Sequence, residues 1–185
     1  MKKIAIVIIA FVALLGFGIA SAEIAPPKVV DLANSTLAAF GTDPIIVAAV
    51  KAENAKGKTL EQIKTQDAKW MADAGVADYM KALMDSECGK YLRKIQTSAP
   101  YYAEIFVMDN LGANVAMTDK TSDYWQGDEA KFQKSFAGGA GAVFVDDVKF
   151  DDSAQAYMVQ VSVPVKEGAA AIGAITFGID VEKIK

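Results

Sequence analysis

At Pro100 the hydrophobic period of this chain changes from 3.6 to 2, and that change limits its fold more than any other feature. Upstream the apolar residues fall at helical spacing. Pro26-Pro27 suits a helix start, since proline is tolerated in the first turn, and Val29, Val30, Leu32, Leu37 and Phe40 follow. Gly41-Thr42-Asp43-Pro44 breaks the pattern and restarts it through Ile45, Ile46, Val47 and Val50. Thr59 with Gln62 three residues on is a capping box, opening a third helix through Met71. Val76 to Ala99 reads as a fourth helical stretch, weakened at Gly89. Downstream, Tyr102–Met108 and Ala113–Thr118 flank an Asp109–Gly112 turn and form a hairpin. Asp128 to Phe136 returns to helix, with two acids in the first turn that suit the helix dipole. Ala142–Phe150, Gln155–Val165 and Ala169–Asp180 are three more strands. Short turns between successive strands favour an antiparallel sheet, and the early helices are expected to cover one of its faces. The class is α+β.

Composition removes most chemistry. The 185 residues include no histidine and one cysteine, Cys88. Histidine-based triads, haem ligation through histidine, cysteine metal clusters and internal disulfides are therefore excluded. No cofactor is implied. Net charge is −4 with no basic run, which suits nucleic acid poorly. Residues 1–22 read as a secretory signal peptide: Lys2 and Lys3, an apolar run from Ile4 to Ile19, then Ala20-Ser21-Ala22 before Glu23. The run is short for a membrane span, although retention as an anchor is the competing reading. The expected location is periplasmic.

The hairpin, its aromatic loop and the short helix carry a resemblance. FVMDNLGANVAMTDKTSDYWQGDEAKFQKSF contains Asp109, Gly112, Val115, Ala116 and Thr118, then Asp123, Tyr124, Gln126, Asp128 and Glu129. This pattern resembles the core of extracytoplasmic PAS-like sensor domains of the PDC or Cache group. The last strand, GAAAIGAITFGIDVEKI, is similar as well. A departure is Phe132, where the family pattern often has a tryptophan pair. The resemblance implies a PAS-like antiparallel five-stranded sheet with long N-terminal helices on one face. It also implies a small-molecule pocket on the other face, roofed by the loop and short helix after the first hairpin. The expected division is 1–22 signal peptide, 23–75 helical segment and 76–185 sensor domain. The expected partners are a small-molecule ligand, a membrane histidine kinase or chemoreceptor, and a second copy through the N-terminal helices.

The expected ligand is a small polar metabolite of the carboxylate or amine class. A pocket needs apolar walls with a few convergent polar groups. Tyr124 and Trp125 offer broad rings with one polar atom each, either as ligand contacts or as a plug sealing the sheet. Gln160 and Ser162 lie on the less apolar face of a central strand, and Met117, Lys120, Asp123 and Tyr157 fall near the same edge by register. Lys120 could pair with a carboxylate, and Asp123 or Asp147 with an amine. Arg93 and Lys94 read as solvent-facing or as reaching an anion, and Asp151-Asp152-Ser153 as a hairpin turn or a cation site. Cys88 reads as a small buried residue, with redox use requiring an exposed, acidified thiol. No spacing joins a nucleophile to a base, so binding is expected and catalysis is not. The competing class is a structural or regulatory interaction protein whose pocket is collapsed.

Overall fold

The computed structural model describes residues 23–151 and 155–185. The signal-peptide reading and most of the Asp151–Ser153 turn lie outside the described residues. The helices are α1 (Pro27–Phe40, with a π turn at Ala33–Leu37), α2 (Pro44–Asn54), α3 (Leu60–Ala72), α4 (Asp78–Met84), α5 (Glu87–Gln96) and α6 (Ala130–Phe136). The strands are β1 (Tyr102–Met108), β2 (Asn114–Met117), β3 (Phe144–Val145), β4 (Lys149–Asp151), β5 (Ala156–Glu167) and β6 (Ala170–Asp180).

All pairings are antiparallel, in the order β2-β1-β6-β5-β3, with β4 also paired to β5. Because β3 and β4 follow one another along the same side of β5, the sheet has five positions, the PAS-like α+β arrangement expected. The single strand expected over residues 142–150 is two short pieces instead. Its chain leaves the β5 ladder where Val148 N donates to Glu23 O at 2.7 Å, pairing with the N-terminal segment rather than with the sheet.

Period-2 alternation separates two cores. Ile105, Val107, Val159, Val161, Val163, Ile175, Phe177 and Ile179 face Val29, Leu37, Ile46, Val50, Leu92 and Ile95, so α1, α2 and α5 cover one face. Phe106, Met108, Met117 and Ala174 face Tyr124, Phe132, Ile63, Trp70 and Met80 on the other. The early helices thus divide between the faces: α3 and α4 join the second core, where Trp70 of α3 packs and bonds to Thr121 in the loop after β2. Fully burying each valine, leucine, isoleucine, phenylalanine or methionine among them contributes about 1.5–3 kcal/mol. Among the described residues no single helix is long and apolar enough to cross a membrane; α1 and α2 pass only together, bent by 67°.

Two boundaries differ from expectation for local reasons. The fourth helical stretch breaks at Asp85-Ser86, where the Ser86 hydroxyl accepts from Gly89 N at 2.9 Å and caps α5. The helix α6 begins at Ala130, so Asp128 and Glu129 precede it rather than filling its first turn. Asp43 and the Thr59–Gln62 capping box start α2 and α3 as the sequence indicates.

Candidate functional site

The segment from Asp119 to Phe136 lies over the second face of the sheet. Its base is the β1–β2 turn, where Asp109 Oδ1 accepts from Leu111 N and Ala113 N, both at 2.9 Å. Gly112 sits there at φ 85°, and a Cβ on it would lie 2.5 Å from Gly127 Cα, so turn and loop touch backbone to backbone. Helix α3 holds the loop from the other side. Asp67 Oδ1 accepts from Tyr124 N at 2.8 Å and Trp125 N at 3.0 Å, and Trp70 Nε1 donates to Thr121 O at 2.8 Å. Lys120 Nζ donates to Asp73 O at 2.5 Å and Gly75 O at 3.1 Å.

Between this lid and the sheet runs a groove of two lobes, about 370 and 280 Å³, which share Ser122, Lys131, Asp151 and Gln160. The inner lobe adds Glu104, Phe106, Lys120, Thr121 and Gln126. The outer lobe adds Asp146, Asp147, Lys149 and Met158 among others. Its floor is a row of residues across three strands: Glu104 on β1 pairs with Gly178 on β6, which pairs with Gln160 on β5. Gly178 has no side chain, so Gln160 Nε2 reaches over it to Glu104 Oε1 at 3.4 Å. The next row, Phe106–Thr176–Ser162, closes the groove.

Carboxylates outnumber ammonium groups in this groove. Burial holds the Glu104 carboxyl above its ordinary range; Lys131 opposes the shift, and Asp151 and Asp119 add to it. Lys131 is 8% exposed, an unusual place for a lysine. It pairs with Glu129 at 2.9 Å and stands 5.4 Å above the Phe106 ring. Gln126 is 1% exposed. Its Nε2 donates to Asp123 O at 2.7 Å, while its Oε1 has no partner among the described residues. A buried acceptor left open beside a groove is the kind of exception that a bound donor would satisfy. Lys149 pairs with Asp146 at 2.6 Å in the outer lobe. Among the described residues no three of His, Cys, Asp and Glu are grouped to hold a metal ion.

The residues singled out from sequence divide by position. Lys120, Asp147 and Gln160 line the groove. Tyr124 turns away from it: its ring lies 5.5 Å from Trp70 and its hydroxyl accepts from Lys58 Nζ at 2.7 Å. Trp125 lies on the outer side of the lid, with Nε1 donating to Leu111 O at 2.8 Å and Lys64 Nζ 4.6 Å over its ring. The Asp123 carboxylate accepts from Ser122 Oγ at 2.8 Å on that same outer side. Met117 is in the second core. Ser162 is fully buried, 2.8 Å from Thr176 Oγ1. Tyr157 is 51% exposed and packs edge-on to Phe150. Arg93 reaches Thr118 O and Asp119, not the groove.

Sequence reasoning passed over Glu104 and Lys131, and read Gln126 only as part of the loop motif. A signal existed for the first: Glu104 alternates with Phe106 and so shares the face opposite Ile105. For Lys131 the signal was its place on one helix face with Ser135, beside Phe132. Asp67 was also legible, standing at helical spacing between Ile63 and Trp70.

No protein-family model matches the chain, and no curated protein matches it. Solved structures do. The ligand-binding domain of the Campylobacter jejuni chemoreceptor Tlp3 in complex with L-valine is 16% identical, with 88% of this chain and 66% of that one covered and a TM-score of 0.41. The sensor domain of the V. cholerae histidine kinase DctB is 15% identical, with coverage of 85% and 59% and a TM-score of 0.38. The ligand-binding domain of the Pseudomonas aeruginosa amino acid chemoreceptor PctC in complex with GABA is 11% identical, with coverage of 86% and 63% and a TM-score of 0.39. The chain spans less than two thirds of the length of each. These are sensor domains of histidine kinases and chemoreceptors, the group that the hairpin motif resembles.

Proposed function

We propose that the chain is a periplasmic binding module whose groove takes a small polar metabolite bearing an amine, and which signals its occupied state to a separate membrane histidine kinase or chemoreceptor. The observation that supports this reading is the floor of the groove. A carboxyl and a carboxamide approach each other across a glycine, and beside them Gln126 Oε1 stands open. An ammonium group satisfies both needs: it donates to Gln126 Oε1, and its charge stabilises the ionised form of Glu104. Lys131 supplies the opposite charge for a carboxylate or hydroxyl on the same molecule. Because Lys131 is carried by α6 and Gln126 by the lid loop, a ligand touching both and the sheet holds the lid closed. That differential contact is what shifts a two-state equilibrium. The segment 23–75 acts in this reading as part of the sensor, since its Asp67 and Trp70 hold the lid. The chain has no histidine and its one cysteine is buried, which favours binding over catalysis.

A thermal-shift panel tests the proposal. It contains amino acids, including the L-valine and GABA bound by Tlp3 and PctC, together with short diamines and dicarboxylates. At least one amine-bearing compound is expected to raise the unfolding midpoint, and dicarboxylates without an amine are not. Stabilisation by dicarboxylates alone overturns the amine assignment. No stabilisation by any compound favours the interaction-protein reading.

A further inference from the structure

A second cleft lies outside the groove, between α3, α4 and the far side of the lid loop. It is an open cleft of about 440 Å³, within the range of small-ligand sites. We propose that this cleft is a separate binding site for a small aromatic carboxylate.

Three observations carry this. The first is the walls. Trp70 is fully buried at the back, Tyr79 stands 6.0 Å from it at 57° and Tyr124 stands 5.5 Å from it at 37°. Trp70 and Tyr124 are buried and Tyr79 is half-buried, with Lys69 Nζ 4.5 Å over one side of its ring, so an entering ring packs on the open side of Tyr79 and the rim of Tyr124, with Trp70 behind them. The second is Gln66, midway along α3. Its Nε2 is buried and has no acceptor among the described residues, and the side chain lines the cleft. A buried N–H of this kind is satisfied by an acceptor that enters with a ligand. The third is charge. Lys56 and Lys58 line the cleft, and no carboxylate among the described residues does. Both lysines also pair with Glu53, which does not line the cleft and offsets one of their two charges. Lys58 further donates to the Tyr124 hydroxyl at 2.7 Å, tying the mouth to the aromatic wall.

The ligand these groups select has a flat apolar body for the rings and an anionic acceptor for Gln66 and the lysines. This polarity is opposite to that of the groove, where carboxylates prevail, so the two sites take different molecules. The site also has a route to the groove. Tyr124 belongs to the lid loop, and the same helix α3 binds that loop through Asp67. A ring seated against Tyr79 and Tyr124 stiffens the loop that roofs the groove.

The test is a titration of the full chain with 3-phenylpropionate, followed by amide and indole NMR. The chain has two tryptophans, so Trp125→Phe assigns the indole signals. The Trp70 indole is expected to shift saturably and the Trp125 indole to stay in place. Affinity should fall at least about tenfold for 3-phenylpropanol and be lost for 3-phenylpropylamine. Gln66→Leu, which keeps the volume and removes the donor, should weaken 3-phenylpropionate about tenfold. Glu104→Gln, in the groove, should leave it unchanged. Absence of a saturable Trp70 shift at about 10 mM, or equal binding of the amine and the carboxylate, overturns the proposal. The charge series is run on the unmodified chain, so it decides the matter even if a variant unfolds.

Discussion

Gly178 lies opposite Glu104 across the β1–β6 pair, and a Cβ placed on it would stand 2.6 Å from Glu104 Cγ. The absence of that one carbon opens the floor of the groove and lets Gln160 meet Glu104. Gly178→Ala is therefore expected to displace the Glu104 side chain into the groove. Affinity for the groove ligand should fall at least about tenfold, or about 1.4 kcal/mol, by calorimetry. Overpacking is itself expected to cost about 1 kcal/mol of stability, lowering the unfolding midpoint by about 2–4 °C. An unchanged affinity would separate Glu104 from binding.

The half-buried Glu104 carboxyl should make stability depend on pH. Its folded-state pKa is raised by burial, so the folded chain holds this proton to higher pH than the unfolded chain does. Its contribution is most favourable below the ordinary carboxylate range and is lost as pH rises through the folded value. Glu104→Gln removes that loss. The variant is expected to melt higher than the parent at neutral pH, with the difference shrinking in acid. A variant that melts lower at neutral pH would show that the ionised carboxylate is stabilising.

Asp67 tests whether α3 holds the lid. Its Oδ1 accepts from two consecutive backbone N–H groups, Tyr124 and Trp125. Asp67→Ala leaves both without that acceptor, and a loss of about 2 kcal/mol is expected in urea unfolding. Hydrogen exchange at those two amides should quicken more than at β5 or β6. Asp67→Asn keeps an acceptor and should lose less. Uniform quickening across the sheet would mean that Asp67 supports the whole fold rather than the loop.

Cys88 should be inert while the chain is folded. Burial, with Asp43 and Glu87 nearby, pushes its thiol up to about 12. Iodoacetamide near neutral pH is expected to modify it only after unfolding, as read by mass spectrometry. Rapid alkylation of the folded chain would reopen a redox reading.

Much of this architecture was legible because it rests on period. Alternation from Tyr157 to Val165 fixes which residues of β5 face the helices, and the Thr59–Gln62 box fixes where α3 starts. The residues within the site were harder to read because they depend on which elements meet. Tyr124 and Trp125 are conspicuous in sequence, yet α3 draws one inward and leaves the other outside the lid. Nothing local in the sequence of the lid says that Asp67 and Trp70, more than fifty residues upstream, will bind it. Glu104 and Gln160 become one feature only through the β1–β6–β5 register, which places Gly178 between them.

The central claim is that the groove binds an amine through Glu104. Calorimetry of the most stabilising amine-bearing compound against the parent chain and Glu104→Gln tests it most directly. The expected result is saturable one-site binding to the parent and at least about tenfold weaker binding to the variant. Equal binding to both chains, or no binding to either, would contradict it.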